Sequence, residues 1–249
     1  MLVPGIVSAT FKTESVDYVI ERALENGLEA VEWSENHHIK KGDSAAARLT
    51  AEKTASAGLE IAGYGSYYRL GENMEIRESL DTASSLGATE VRIWAGSKPS
   101  SSLSLEEREA LIEELEAQVE TASRYGITLN LEWHKNTLTD TNESALDVLE
   151  RIRSPYLRTL WQPTQALSFE ERRKGLDMIK SRLSYLHVYY WDESGRRPLC
   201  EGEDHWREYF SLLDENKKYY ALLEFVRSDS SEQFKADAEV LKKLIRGDN

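Results

Sequence analysis

Ile127-Thr-Leu-Asn-Leu-Glu-Trp-His134 alternates along its length. In an extended segment Leu129, Leu131 and Trp133 fall on one face, and Asn130, Glu132 and His134 fall on the other. An ionisable group buried without a partner is costly, so a strand that carries one on its inner face meets a partner, a metal or a substrate at its end. Two later apolar runs have the same signature. Leu186-His-Val-Tyr-Tyr-Trp-Asp192 holds His187, and Ala221-Leu-Leu-Glu-Phe-Val226 holds Glu224. Parity groups Tyr185 with His187 and Tyr189, and Leu222 with Glu224 and Val226. Three such strands predict one polar centre in an apolar barrel.

Around these strands a unit repeats: amphipathic helix, glycine, short apolar strand. Gly27 precedes Leu28–Trp33, Gly58 precedes Leu59–Tyr64, Gly87 precedes Ala88–Trp94, and Gly126 precedes Ile127–Glu132. Each glycine stands where a helix ends in the left-handed conformation. Ser104-Leu-Glu-Glu107 and Ser168-Phe-Glu-Glu171 read as capping boxes that start helices. The helix after Ser104 has Leu105, Ile112, Leu115 and Val119 near helical spacing. Further strands are expected at Val3–Thr10, Tyr156–Trp161 and Tyr219–Phe225, giving eight strands and eight helices. Strict βα alternation implies parallel strands, and eight units in 249 residues predict a single-domain (β/α)8 TIM barrel over residues 1–249. A doubly wound open sheet would need a Gly-rich turn after the first strand, and Ser8-Ala-Thr-Phe-Lys12 is not one.

Composition narrows the class. The chain is 40% hydrophobic, and no apolar run approaches the ~20 residues of a membrane span. Met1-Leu-Val-Pro-Gly5 lacks the basic start of a signal peptide, and the single cysteine, Cys200, fits a reducing compartment, so a cytoplasmic protein without a membrane partner is expected. The net charge of −13 opposes a nucleic-acid partner, which would draw its affinity from clustered Lys and Arg.

In a barrel, function sits at the C-terminal strand ends. Glu32 ends the second strand, Arg92 and Trp94 the fourth, and Gln162 the sixth. Carboxylates with one imidazole suit a hard or borderline divalent ion, and two glutamates also suit paired acid and base work across a substrate. His37 and His38 follow the second strand, and either is within reach of the site or solvated in a loop. Tyr64, Tyr67 and Tyr68 either wall a sugar-sized pocket or pack. His134 is a substrate contact or a partner of Glu132, and Arg227 holds an anion or pairs with a surface acid.

These residues together resemble the xylose isomerase-like TIM barrel superfamily, in its sugar phosphate isomerase/epimerase branch. The resemblance rests on Gly27-Leu-Glu-Ala-Val-Glu-Trp33, Leu131-Glu-Trp-His134, Leu186-His-Val188 followed by Asp192, Pro198-Leu-Cys-Glu-Gly-Glu-Asp-His-Trp206, and Leu223-Glu-Phe225. It implies one divalent metal ion (Mn, Mg, Co or Zn) on Glu132, Gln162, His187 and Glu224. It also implies proton transfer between Glu132 and Glu224 on opposite faces of a keto-sugar, sugar phosphate or polyol, through an enediolate. His38, Tyr64, Arg92, Trp94, His134 and Arg227 are then expected to contact a small sugar-like substrate, with His38 falling where related members have a His after strand two. An isomerase or epimerase is the leading expectation; a polyol dehydratase and a metal-free sugar-binding barrel are the alternatives. Barrels of this kind are often dimers or tetramers, so a homo-oligomer is a further expectation. One departure stands out: the family has Asp at strand six in an Asp-x-x-His pattern, and this chain has Gln162-Pro-Thr-Gln165. An amide brings no charge to a metal.

Overall fold

Eight parallel strands close on themselves. They are β1 (Leu2–Val7), β2 (Ala30–Ser34), β3 (Glu60–Arg69), β4 (Glu90–Trp94), β5 (Thr128–Glu132), β6 (Leu157–Trp161), β7 (Leu183–Val188) and β10 (Tyr219–Leu223). The order follows the sequence, and β1 closes the ring by pairing with both β2 and β10. The coordinates are a computed structural model describing residues 1–248; Asn249 lies outside the described residues.

The helices are α1 (Val16–Glu25), α2 (Ser44–Ser56), α3 (Ile76–Leu86), α4 (Leu105–Ser123), α5 (Asn142–Arg151), α6 (Phe169–Ile179), α7 (Glu203–Ser211) and α8 (Ser231–Arg246). Their boundaries follow local chemistry. Both capping boxes form: the Ser104 and Ser168 hydroxyls accept from the Glu107 and Glu171 backbone amides, and each glutamate reaches back to the serine backbone. Gly27, Gly58, Gly87 and Gly126 all take positive φ between helix and strand. Ile112, Leu115 and Val119 are buried as expected, whereas Leu105 is exposed because it opens α4 outside the contact stripe.

Two apolar regions hold the fold. Helices and outward strand faces share a continuous core that includes Trp33, Trp133, Trp161 and Trp206. The barrel interior is smaller, built from Val3, Val7, Ala9, Ala30, Ala62, Leu160, Tyr185 and Leu222. Strand crowding there is tight: a Cβ on Gly5 would lie 2.5 Å from the Ala30 carbonyl oxygen and 2.5 Å from Leu222. This plug fills much of the barrel interior, with a buried polar cluster of Glu90, Asn130 and Ser184 near the strand starts and the other inward polar groups at the upper rim. No helix among the described residues is long and apolar enough to cross a membrane.

The structure departs from the expected seventh strand. β7 stops at Val188, and the continuation Tyr190–Asp192 (β8) pairs antiparallel with Gly195–Arg197 (β9) as a small hairpin beside the barrel mouth. The last barrel strand also ends early, at Leu223. Phe225 has φ of 50°, a left-handed conformation unusual for a bulky side chain, and it breaks the alternation. Val226 therefore packs in the helix-side core and does not share a face with Glu224.

Candidate active site

Six polar side chains from six strands converge at the C-terminal rim: Glu32 on β2, Arg92 on β4, Glu132 on β5, Gln162 just past β6, His187 on β7 and Glu224 just past β10. Glu32, Arg92, Glu132, Gln162 and His187 are all buried. Arg92 Nη1 donates to Glu132 Oε2 at 2.6 Å. Gln162 Nε2 donates to Glu132 Oε1 at 2.9 Å and to the Trp133 carbonyl at 2.8 Å. Both oxygens of Glu132 are therefore occupied by N–H donors.

His187 makes a second cluster. Its Nε2 is 2.9 Å from Glu32 Oε2, and its Nδ1 faces Glu224 Oε1 at 3.5 Å. Burial alone would hold the imidazole neutral, but the carboxylates of Glu224 and Glu32 outweigh it and push its pKa up to about 10. Burial likewise opposes charge on Glu32, yet His187 and Arg92 draw its pKa below the ordinary value. The Arg92 pKa is raised because Glu132 and Glu32 overcome the cost of its burial. The rim thus carries three carboxylates against one guanidinium and one imidazolium.

An aromatic wall flanks the charges. Trp94 lies beneath Arg92 at 4.2 Å and beneath Arg69 at 3.9 Å. Tyr67 meets Trp94 edge-on at 5.1 Å, and His134 meets its other side at 6.2 Å. The open volume is a cavity of about 130 Å3 whose lining includes Glu132, His134, Gln162, Tyr189, Trp191 and Glu224. Phe225 closes one side, with Lys12 Nζ 4.6 Å and the Arg196 guanidinium 4.9 Å from its ring centre.

The structure brings together Glu132, Gln162, His187, Glu224, Arg92, Trp94 and His134. It does not bring in three others. Tyr64 faces the helices: a register shift opposite Val31 and Glu32 turns Gly63 and Gly65 inward, and the fully buried Tyr64 hydroxyl donates to the Ile39 carbonyl at 2.9 Å. His38 packs edge-on against outward-facing Trp33 at 5.7 Å; its neighbour His37 reaches the mouth instead, 3.3 Å from the Tyr67 hydroxyl. Arg227 is exposed in the turn after Val226, outside the cavity lining. Tyr189, Trp191 and Phe225 were not singled out from sequence as site residues. Tyr189 had the parity signal of His187, but Trp191 and Phe225 lie beyond regular strand, where parity is silent.

Two expected outcomes follow from this geometry. Gly65 admits Glu32: a Cβ there would sit 2.5 Å from Glu32 Oε1 and 3.0 Å from Arg92 Nη2. Gly65→Ala should cost about 1–3 kcal/mol by displacing the buried charges, read as a lower thermal midpoint; an unchanged midpoint would contradict the tight approach. His38 is half-buried, and desolvation first, then the nearby His37 charge, lowers its pKa to about 4. With the folded value below the unfolded one, its contribution is fully present above pH 6.5 and is lost as pH falls toward 4. Between pH 7 and 5 the wild type should lose about 1 kcal/mol more than His38→Gln after discounting for partial exposure. Parallel stability-versus-pH curves would refute this.

Residues 20–244 match the family described as Xylose isomerase-like TIM barrel. The chain belongs to that family. A 3-dehydroshikimate dehydratase of Bacillus anthracis is 23% identical over 270 residues, covering 95% of each chain. In fold, the barrel is similar to the crystal structure of the probable 3-DHS dehydratase AsbF from Bacillus anthracis, with a TM-score of 0.82 at 19% identity over 97% of this chain and 99% of that one. It is also similar to D-psicose 3-epimerase from Clostridium cellulolyticum H10, with a TM-score of 0.71 at 13% identity over 98% of both chains.

The resemblance implied one divalent metal ion on Glu132, Gln162, His187 and Glu224. The donor set here does not fit one. Glu132 is spent on Arg92 and Gln162, Gln162 offers a neutral amide, and the two nitrogens of His187 face two carboxylates. That leaves Glu224 as the one carboxylate of the four positions not clamped by an amide or guanidinium, too little anionic oxygen for a tight hard-cation site. Among the described residues, no three His, Cys, Asp or Glu side chains are grouped to hold a metal. The Gln162 Oε1 atom, buried without a hydrogen-bond partner, is suited instead to accept from a substrate hydroxyl.

Proposed function

We propose that this barrel is an enzyme of a small, polyhydroxylated keto substrate, and that its reaction is a proton abstraction next to the carbonyl followed by loss of water: a dehydratase-type lyase. The observation that carries this reading is the inequality of the two cavity glutamates. Glu132 has both oxygens held by N–H donors, whereas Glu224 is half-buried, opens onto the cavity and faces only the His187 ring. One free base suits elimination. Glu224 takes the proton from the carbon beside the carbonyl and the C–H electrons move into an enolate; as the carbonyl re-forms, that electron pair makes the new C=C bond and the C–O bond to the hydroxyl on the next carbon breaks. Glu224 returns the proton to the departing oxygen, which leaves as water.

The other rim groups have supporting parts. Arg92 and the His187 imidazolium offset the negative charge that develops on the enolate. Gln162 Oε1 accepts from a ring or chain hydroxyl, and Trp94, Tyr189 and Trp191 supply apolar faces. The full-length similarity to a 3-dehydroshikimate dehydratase supports the same reaction class.

A second reading is a two-base isomerase or epimerase, since Glu132 and Glu224 line one cavity. It requires Glu132 to leave Arg92 and Gln162 during turnover. Proton NMR in D2O separates the readings, with 3-dehydroshikimate and a panel of ketohexoses as substrates. Elimination gives a new vinylic or aromatic signal. Deuterium uptake with the hydroxyls retained would replace the lyase by an isomerase. Saturable binding with neither change would leave a sugar-binding barrel.

A further inference from the structure

A roomy cleft lies well away from the barrel mouth. It lies at the opposite end, where the last turns of α5 and α6 meet the start of β6 and the approach to β7, and its volume is about 580 Å3. That is within the ~300–1,000 Å3 of sites that hold organic ligands. Arg153, Arg158 and Arg182 line it. In a chain with 44 acidic residues against 31 basic ones, arginines usually find carboxylates, as Arg151 finds Glu109 on the neighbouring α4. Among the described residues none of these three does.

Their hydrogen bonds leave donors unspent. Arg182 uses Nη2 on the carbonyls of Ile152 and Leu157, at 3.0 and 2.8 Å, with Ser154 at 3.4 Å. Arg158 uses Nη2 on the Leu183 carbonyl at 2.6 Å, while its Nε is buried without a partner. Arg153 is exposed at the rim with no hydrogen bond. Burial and the nearby Arg158 charge both lower the Arg182 pKa, so the two guanidiniums repel each other across the cleft. The opposing charges are few: Glu150 lines the same cleft, and Glu90 lies behind Arg158, held by Asn130 and Ser184. Helix-end carbonyls account for one nitrogen of Arg182 and leave the other donors unexplained. Leu146, Leu149 and Met178 add an apolar stretch of wall, beside the polar Ser154 and Ser181.

We propose that this cleft is a second ligand site, separate from the barrel mouth, for a small organic anion whose phosphate or carboxylate is gripped by Arg153, Arg158 and Arg182 and whose body rests on the apolar wall. The guanidinium fork suits either anion, and an anion removes the repulsion between Arg158 and Arg182.

Thermal shift and titration calorimetry at fixed ionic strength test it, with phenyl phosphate and benzoate as probes. The wild type is expected to give saturable binding of at least one probe and a raised midpoint; which probe wins identifies the anion. Arg153→Ala, an exposed substitution that leaves the unliganded midpoint unchanged, should weaken binding about tenfold, as loss of a charged hydrogen bond does. Arg182→Lys should weaken it as well. Glu224→Gln should bind like the wild type, so failure of the proposed lyase reaction and failure of this site are read separately. Equal binding in the wild type and both arginine variants, or no saturable binding of either probe, would overturn the proposal. So would sedimentation showing that Arg153→Ala dissociates a dimer, because the cleft would then be an interface between copies.

Discussion

Glu224→Gln is expected to lower kcat by about 10²–10⁴-fold, the usual contribution of a positioned acid–base group, with KM changing little. The substitution keeps shape and removes the acceptor of the proton. It also leaves His187 its second carboxylate, Glu32, at 2.9 Å, so the fold should survive with a thermal midpoint near the wild type. Glu132→Gln is the informative contrast. It removes the hydrogen-bonded partner of buried Arg92, leaving Glu32 as its remaining counter-charge, and breaking a buried pair is expected to cost up to about 3 kcal/mol of stability. A protein in which Glu224→Gln retains turnover while Glu132→Gln folds normally and is inactive would exchange the roles given to the two glutamates.

Gln162→Asp should convert the rim into a metal site. In the wild type, Mn2+ is expected to bind weakly, because the four strand-end positions offer one unclamped carboxylate. The substitution adds a second anionic oxygen donor and frees Glu132 Oε1 from the amide. A unit-charge pair at ~4 Å gains about 4 kcal/mol in a protein-like dielectric, so affinity should rise on the order of 100-fold or more. Without metal the same variant should be less stable than the wild type, since a carboxylate would face Glu132 Oε1 in place of the Gln162 amide that now donates to it at 2.9 Å. Mn2+ should restore the midpoint. Calorimetry and thermal shift read both effects. Stoichiometric, micromolar Mn2+ binding by the wild type would refute the assignment of the rim as a poor metal site.

The barrel was legible because its signals are local and repeated. Gly27, Gly58, Gly87 and Gly126 each marked a helix end, the Ser104 and Ser168 boxes marked two starts, and alternation in Thr128–Glu132 set the inward face. The rim charges were legible for the same reason: parity placed Glu132 and His187 inward. What parity could not show was pairing. That Arg92 would clamp Glu132 depends on β4 and β5 lying in register, Arg92 opposite Asn130, a fact of tertiary structure. Glu32 ended its strand in the sequence reading, but its role as the partner of His187 crosses 155 positions. Of the two readings open for Tyr64, a pocket wall or packing, the fold takes packing, because a register shift at Val31 and Glu32 that the sequence pattern does not mark turns it toward the helices. The hairpin Tyr190–Arg197 and the left-handed Phe225 lie where the chain leaves regular strand, so alternation extended too far at both places.

The pairing of Leu2–Ile6 with Tyr219–Leu223 has a consequence for how the protein comes into being. During synthesis β1 and β7 both present open edges until the segment carrying β10 emerges, and open edges recruit other chains. Joining them is the most non-local event in the fold, and non-local pairings form slowly. Gly5 lies in this seam, against Ala30 and Leu222. A bulkier residue there would act chiefly on the yield of closed barrels: more chain lost to aggregation on refolding, and near-normal chemistry in the molecules that close.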